Sequence, residues 1–170
     1  MTSSTVEFVD ESDIRAAVRV VFDDLRRTLA ALLPEAAIEH IGATAVPGAV
    51  TKGDLDVCVL VNPGDFGEAE RVLAGRFARN VGSDHTESLS SFIDDSKAVP
   101  VGIQLVARGG REDFFVRWRE LLLNSPRVLL AYNALKRQWH GRSHESYRSE
   151  KSRFIERELR PLPRGRADTS

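Results

Sequence analysis

Two aspartates separated by one residue, Asp54 and Asp56, lead into an apolar run, Val57-Cys58-Val59-Leu60-Val61. In an extended chain residues i and i+2 point to the same side, so the two carboxylates stand side by side. Like charges so placed repel, and a divalent cation between them relieves the repulsion. Hard Mg2+, which takes oxygen ligands, is the natural partner, with Mn2+ as the second choice. Ten residues before Asp54 ends the segment His40-Ile41-Gly42-Ala43-Thr44. Gly42 lets the backbone approach a ligand closely, and the main-chain N–H groups at Gly42, Ala43 and Thr44, with the Thr44 hydroxyl, form a candidate cradle for phosphate oxygens. Metal and phosphate contacts would then face each other across one crevice, which is the chemistry of a metal-bound phosphate ester. His40, beside the glycine, is a candidate base because imidazole titrates near neutrality; a structural histidine flanking a turn is the plainer reading. His85, His140 and His144 have no partner spacing and read as surface residues.

These groups need a sheet edge to hold them. Ala37 to Ile41 reads as a short strand, the glycine-rich stretch 42–53 as a turn, and Leu55 to Val61 as a buried strand stopped by Asn62-Pro63-Gly64. Before them, Ile14, Ala17, Val18, Val21, Phe22, Leu25, Leu29, Leu32 and Leu33 recur at the period of an amphipathic helix, with Asp10 or Ser12 as its cap and Pro34 past its end. After them, Glu68 to Phe77 reads as helix. Ser90 to Asp94 and Val99 to Ala107 read as strands joined by a hairpin turn at Asp94-Asp95-Ser96-Lys97. Helices follow over Arg111 to Leu123, Arg127 to Trp139 and Ser143 to Leu159. The order segregates into a small mixed sheet packed with helices plus a helical C-terminal part, an α+β arrangement. Residues 1–160 form one domain, and the tail 161–170 is too polar to be ordered by packing.

Composition narrows the function classes. The chain has 170 residues, of which 42% are hydrophobic and 29% charged, and no apolar run approaches the roughly 20 residues of a membrane span. The start MTSSTVEFVDESD has neither the basic nor the apolar region of a secretory signal, and the single Cys58 has no partner for a disulfide, so the expected compartment is the cytoplasm. With 24 basic against 25 acidic residues there is no global drive toward polyanions. The basic residues of the C-terminal helices are interspersed with Glu120, Glu145, Glu150, Glu156 and Glu158, which argues against a nucleic-acid stripe. The sequence sets no oligomeric state.

The residues quoted above resemble a known family. The pattern of an apolar residue, glycine, a small residue, a spacer and then D-h-D-h is similar to the signature of nucleotidyltransferases with the DNA-polymerase-beta-like fold. More narrowly, His40-Ile41-Gly42-Ala43-Thr44-Ala45-Val46-Pro47-Gly48 resembles the HIGSTSVPG segment of the GrpB family. Trp118-Arg119-Glu120-Leu121-Leu122 resembles its FRDYL stretch and Tyr132-Asn133-Ala134-Leu135-Lys136 its Y-x-x-L-K. Tyr147, Lys151, Phe154 and Ile155 match Y-x-x-x-K-x-x-F-I. The likeness implies that Asp54 and Asp56 bind Mg2+ carrying the phosphates of a nucleoside triphosphate, ATP favoured. A small-molecule amine, hydroxyl or carboxylate would attack the α-phosphorus, and pyrophosphate would leave. It implies phosphate contacts from Gly42, Ala43, Thr44, Lys52, Arg119, Lys136 and Lys151, and puts Gln104 and Tyr132 on the substrate side. For Arg119 an ion pair with a neighbouring acid competes, and for Tyr132 helix packing does.

Two departures stand out. Family members usually carry serine where this chain has Ala43, which removes a hydroxyl from the cradle. Polymerase-like transferases also place a third carboxylate on a later strand, whereas the polar position in Val101-Gly102-Ile103-Gln104-Leu105 is an amide, which is neither a base nor a charged metal ligand. Asp94 or Asp95 would substitute if the strand register allowed. The competing expectation is a nucleotide-binding or regulatory module that has lost transfer.

Overall fold

The structure is a computed structural model that describes residues 5–9 and 11–160, without the side chains of 11–13. The helix cap expected of Asp10 or Ser12 and the tail 161–170 lie outside the described residues. The long amphipathic helix is α1 (Glu11–Leu32), followed by β1 (Ala37–Ile41), a single 3-10 turn (Ala43–Ala45), β2 (Leu55–Val61) and α2 (Phe66–Ala74). Then come β3 (Ala78–Arg79), β4 (Leu89–Asp94), β5 (Val101–Ala107), α3 (Phe115–Asn124), α4 (Pro126–Trp139) and α5 (His144–Leu159).

The strands form one mixed sheet in the order β1-β2-β5-β4-β3, in which only β2 and β5 run parallel. Strand alternation then decides which side each residue serves. Leu55, Val57, Val59 and Val61 of β2, with Val101, Ile103 and Leu105 of β5 and Phe92 of β4, face α1 and α2 and make the main core with Leu25, Leu29 and Leu73. On the other side Ile41, Cys58, Leu60, Leu89 and Val106 pack under Phe115 and Val116 of α3. A third cluster fills the helical layer: Trp118, Leu122, Val128, Tyr132 and Phe154 close around Val46 and Ala49. The glycine-rich stretch after β1 is thus part of a core, with Val46, Ala49 and Thr51 fully buried.

The hairpin between β4 and β5 forms as expected, with Asp94 opposite Val101 and its carboxylate accepting the Ser96 N–H at 3.0 Å in an Asx-type turn. The two-residue β3 was not read from the sequence; both its residues are exposed on the sheet edge. Helix α3 starts at Phe115 rather than Arg111, because local bonds hold the segment before it in turns. The Asp113 carboxylate accepts the Gly109 N–H at 2.8 Å, and the Asp113 N–H donates to Gly110. Among the described residues, no helix is long and apolar enough to cross a membrane.

Candidate functional site

Asp56 enters β2 opposite Ile41 on one side and Gly102 on the other, on the sheet side away from α1 and α2. Both neighbours of its carboxylate are glycines. A Cβ on Gly42 would lie 2.6 Å from Asp56 Oδ2, and one on Gly102 would lie 2.9 Å from Oδ1. Gly42 also adopts φ 75° with ψ −172°, a region closed to side chains. The two glycines clear a cradle around one acid, and only the first was recognisable from the sequence. Asp54, just before the strand, forms an ion pair with Lys52 at 3.2 Å.

The helical layer brings cations to these acids. Burial first, then the charge of Asp54, pushes the Asp56 carboxyl up to about 6, against the pull of Lys151, Lys52 and Lys136. Lys136 is buried on α4; burial and then Lys151 draw it down to about 7. Its Nζ donates to the Val50 carbonyl at 2.5 Å and lies 4.2 Å from the centre of the Tyr132 ring. Lys151 on α5, whose ammonium is also lowered by burial, lies 5.8 Å from the Tyr147 ring centre and makes no carboxylate contact among the described residues. His144, set aside in the sequence, belongs to this cluster: burial, then Lys52, Arg148 and Lys151, lowers its pKa. Its spacing from the other groups gave no signal, since the fold alone brings the start of α5 to the mouth of β2.

The loop that carries the cradle is held from several sides. Arg15 of α1 donates to the carbonyls of Thr44 and Val46 at 2.9 and 2.7 Å. Asn133 of α4 accepts the Val50 N–H at 2.8 Å and donates to the Gly48 carbonyl at 2.7 Å. The N-terminal residues bridge the same loop to the α4–α5 turn, with Val9 N–H on Thr51 and Val6 N–H on Arg142. Arg15 and Asn133 carried no chemical motif in the sequence beyond Asn133's place in the Y-x-x-L-K stretch.

Several expected roles are corrected by this geometry. His40 pairs with Val57, so it points to the α1 side, where its ring stacks on Phe22 at 5.0 Å, away from Asp56. Burial, then Arg119 and Arg15, lowers its pKa to about 4, so the ring is neutral, and the sheet separates it from any reaction at Asp56. Its Nε2 lies 3.0 Å from Thr44 Oγ1, which donates to the Asp54 carbonyl at 3.0 Å. The Thr44 hydroxyl is therefore spent inside the protein rather than offered to phosphate. Arg119 is spent likewise: it binds Glu39 at 2.8 Å, Glu120 at 2.8 Å and the His40 carbonyl at 2.9 Å, which is the ion-pair alternative. Tyr132 is packed between Trp118 and Phe154, which is the helix-packing alternative, with Lys136 over its ring. Asp94 pairs with Val101 and so lies on the wrong side of the sheet to supply a third acid, and Asp95 is in the exposed turn. Gln104 does lie on the side of Asp56, one pair further along β5, opposite Cys58.

Among the described residues no group of three or more His, Cys, Asp or Glu side chains could hold a metal. A two-carboxylate site with an open cradle suits Mg2+ that arrives already bound to phosphates and keeps several other ligands, rather than a closed metal cage.

Comparisons agree with this architecture. The model of the GrpB protein family matches residues 12–160. A UPF0157 protein of Vibrio cholerae serotype O1 is 37% identical over 161 residues, covering 94% of this chain and 85% of its own. The crystal structure of the conserved protein GrpB from Enterococcus faecalis superposes with a TM-score of 0.69 at 17% identity, over 91% of this chain and 98% of that one. The Cid1 poly(U) polymerase bound to MgGTP shares the fold with a TM-score of 0.50 at 16% identity, over 68% of this chain but only 38% of the polymerase. The fold of the chain is thus nucleotidyltransferase-like, and the chain belongs to the GrpB family.

Proposed function

We propose that this protein is a Mg2+-dependent nucleotidyltransferase that uses a nucleoside triphosphate, ATP favoured, to nucleotidylate or adenylate a small-molecule acceptor and release pyrophosphate. The observation that carries the reading is the glycine-cleared carboxylate of Asp56 beside Asp54, set against Lys52, Lys136 and Lys151 from three separate segments. Two acids and three lysines in one cluster match a metal-bound polyphosphate better than a metal or an anion alone. Mg2+, when bound, would be held by Asp54 and Asp56 and would offset the charge of the phosphates.

The chain's own residues do the positioning. Gly42 and Gly102 keep the face of Asp56 open. Asn133, Arg15 and the Val50 contact of Lys136 fix the loop from Gly42 to Val50, and the His40–Thr44 pair fixes the backbone at Asp54. Lys151, with no carboxylate contact of its own, is the cation best placed to meet the leaving pyrophosphate. The likeness to a polymerase that binds MgGTP supports the reading at the level of fold.

One observation favours a second reading. Gln104 occupies the sheet position nearest Asp56 that bears a polar side chain on β5, and it supplies no charge, as expected of a binding or regulatory module that has lost transfer. The two are separated by incubating the protein with Mg2+ and ATP, GTP, CTP or UTP and a metabolite extract, following pyrophosphate and new nucleotidylated masses. Pyrophosphate that disappears in Asp54→Asn/Asp56→Asn supports the enzyme. Nucleotide-dependent thermal stabilisation without turnover supports the module, and neither response removes both.

A further inference from the structure

Gln104 ends a hydrogen-bonded row that crosses the sheet. Ser91 of β4 donates to Gln104 Oε1 at 2.5 Å, and Ser83 Oγ lies 3.0 Å from Ser91 Oγ. Since Ser91 gives its proton to Gln104, Ser83 donates to Ser91, and the row runs from Ser83 through Ser91 to Gln104. This direction spends the amide oxygen and presents the amide nitrogen. Nε2 comes within 3.8 Å of the point where a Cβ on Gly102 would lie, the point that Asp56 Oδ1 approaches to 2.9 Å. The space above Gly102 is therefore faced by one carboxylate oxygen and one amide donor. At the far end of the row, Ser91 and Ser83 line an open cavity of about 460 Å³ at the sheet edge, together with Arg79, Asn80, Val81, Asp84 and His85. Arg79 and His85 are both held by Glu70 of α2, at 2.9 and 2.7 Å, so they close the cavity from the α2 side of the sheet edge, while Ser91, paired with Gln104, lies on the side of Asp56. Helix α5 touches this loop through Arg148, which donates to the Gly82 carbonyl at 2.9 Å.

We propose that the row and the cavity are the acceptor subsite of the transferase described above, and that it takes a small molecule without negative charge that offers a hydroxyl or an amine. The inference rests on that reading of the Asp54 and Asp56 site and adds the class of acceptor. The volume fits a small ligand. The lining is neutral or internally paired apart from Asp84, so an anionic acceptor would meet a carboxylate and no uncommitted cation among the lining residues. The acceptor's oxygen or nitrogen lone pair forms the new bond to the α-phosphorus. The bond from that phosphorus to the oxygen bridging the β-phosphate breaks, its electron pair leaves with pyrophosphate, and the acceptor's proton passes to water. Gln104 takes no proton; its Nε2 holds an acceptor oxygen beside the nucleophile, which makes it a specificity residue.

The test uses a deproteinised small-molecule extract divided on an anion-exchange resin, with Mg2+ and ATP present throughout. Pyrophosphate release is expected with the unretained fraction. Val81→Trp or Ser83→Trp, which fill the cavity, are expected to lower that release about tenfold or more while leaving the thermal stabilisation by Mg2+ and ATP within about 1 °C of the wild type. Val81 is 97% exposed, so its variant tests the cavity even where the serine variant disturbs the loop. Gln104→Leu should raise the amount of fraction needed for half-maximal rate more than it lowers the maximum. Release with the retained, anionic fraction alone, or release indifferent to both tryptophans, overturns the proposal. Stabilisation by Mg2+ and ATP with no release from either fraction also overturns it and favours the binding module. Absence of both responses overturns the nucleotidyltransferase reading itself.

Discussion

Replacing Asp56 by asparagine should make the ligand-free protein more stable while removing its response to Mg2+ and nucleotide. The carboxyl is pushed from 3.8 up to about 6, first by burial and then by Asp54. A raised carboxyl pKa means that ionisation costs more in the fold than in the unfolded chain. The penalty is absent well below pH 3.8, grows between 3.8 and about 6, and is complete above that. Two pH units at about 1.4 kcal/mol each set a ceiling of about 3 kcal/mol. That ceiling already includes the pull of Lys151, Lys52 and Lys136; relaxation and water around the acid reduce it, and a gain on the order of 1–2 kcal/mol is expected. For a domain of this size it corresponds to about 2–8 °C in melting temperature. Calorimetry in EDTA at pH 7.5 should show the gain, the same comparison at pH 4 should show most of it gone, and adding Mg2+ and ATP at pH 7.5 should raise the wild type alone. An asparagine variant no more stable than wild type at pH 7.5, or equally stabilised at both pH values, would refute the claim that Asp56 is held ionised against its surroundings.

Further outcomes follow from the same geometry. His40, lowered to about 4 from 6.5, binds its proton more readily when the chain unfolds, so stability should rise between pH 4 and 6.5 by up to about 1.4 kcal/mol per pH unit. Partial exposure reduces that slope; urea titrations should find it missing in His40→Gln and present in the wild type. Gly102→Ala puts a methyl 2.9 Å from Asp56 Oδ1 and should weaken the Mg2+- and ATP-dependent melting shift, with far-UV circular dichroism unchanged. Asn133→Ala removes two buried bonds to the loop and should cost about 1–3 kcal/mol in denaturant titrations. Arg119→Ala should lower stability yet leave the nucleotide-dependent shift intact, because its guanidinium is committed to Glu39, Glu120 and the His40 carbonyl.

The elements were legible in the sequence because their signals are local. The period of α1, the apolar run of β2 and the proline that starts α4 depend on neighbours a few residues away. So did the placing of Asp54 and Asp56 on one strand mouth. What sequence reasoning missed depends on pairing between distant strands. His40 was read as a candidate base beside the glycine turn, but its register with Val57 turns it to the other side of the sheet from Asp56, one residue out of phase with Ile41. Gly102 looked like an ordinary strand residue until its pairing with Asp56 showed why no side chain fits there. Thr44 and Arg119 have the right chemistry for phosphate, and only the acceptors around them reveal that their donors are already used. β3 was missed because two exposed residues carry no pattern.

The pinning of the loop after β1 has a consequence for how the protein is made. Asn133 and Lys136 reach the loop at Gly48 and Val50 across more than eighty residues of chain, 83 to 86 positions apart. Synthesis delivers the loop and all five strands before α4 leaves the ribosome, so a nascent chain owns both aspartates without the clamp that shapes their surroundings. Assembly of the crevice is therefore a late event, coupled to docking of the last two helices, and contacts of this range slow folding. A chain halted or cleaved before α4 would lack the contacts of Asn133 and Lys136 with Gly48 and Val50, so the loop beside the two aspartates takes its final shape only after α4 has been made.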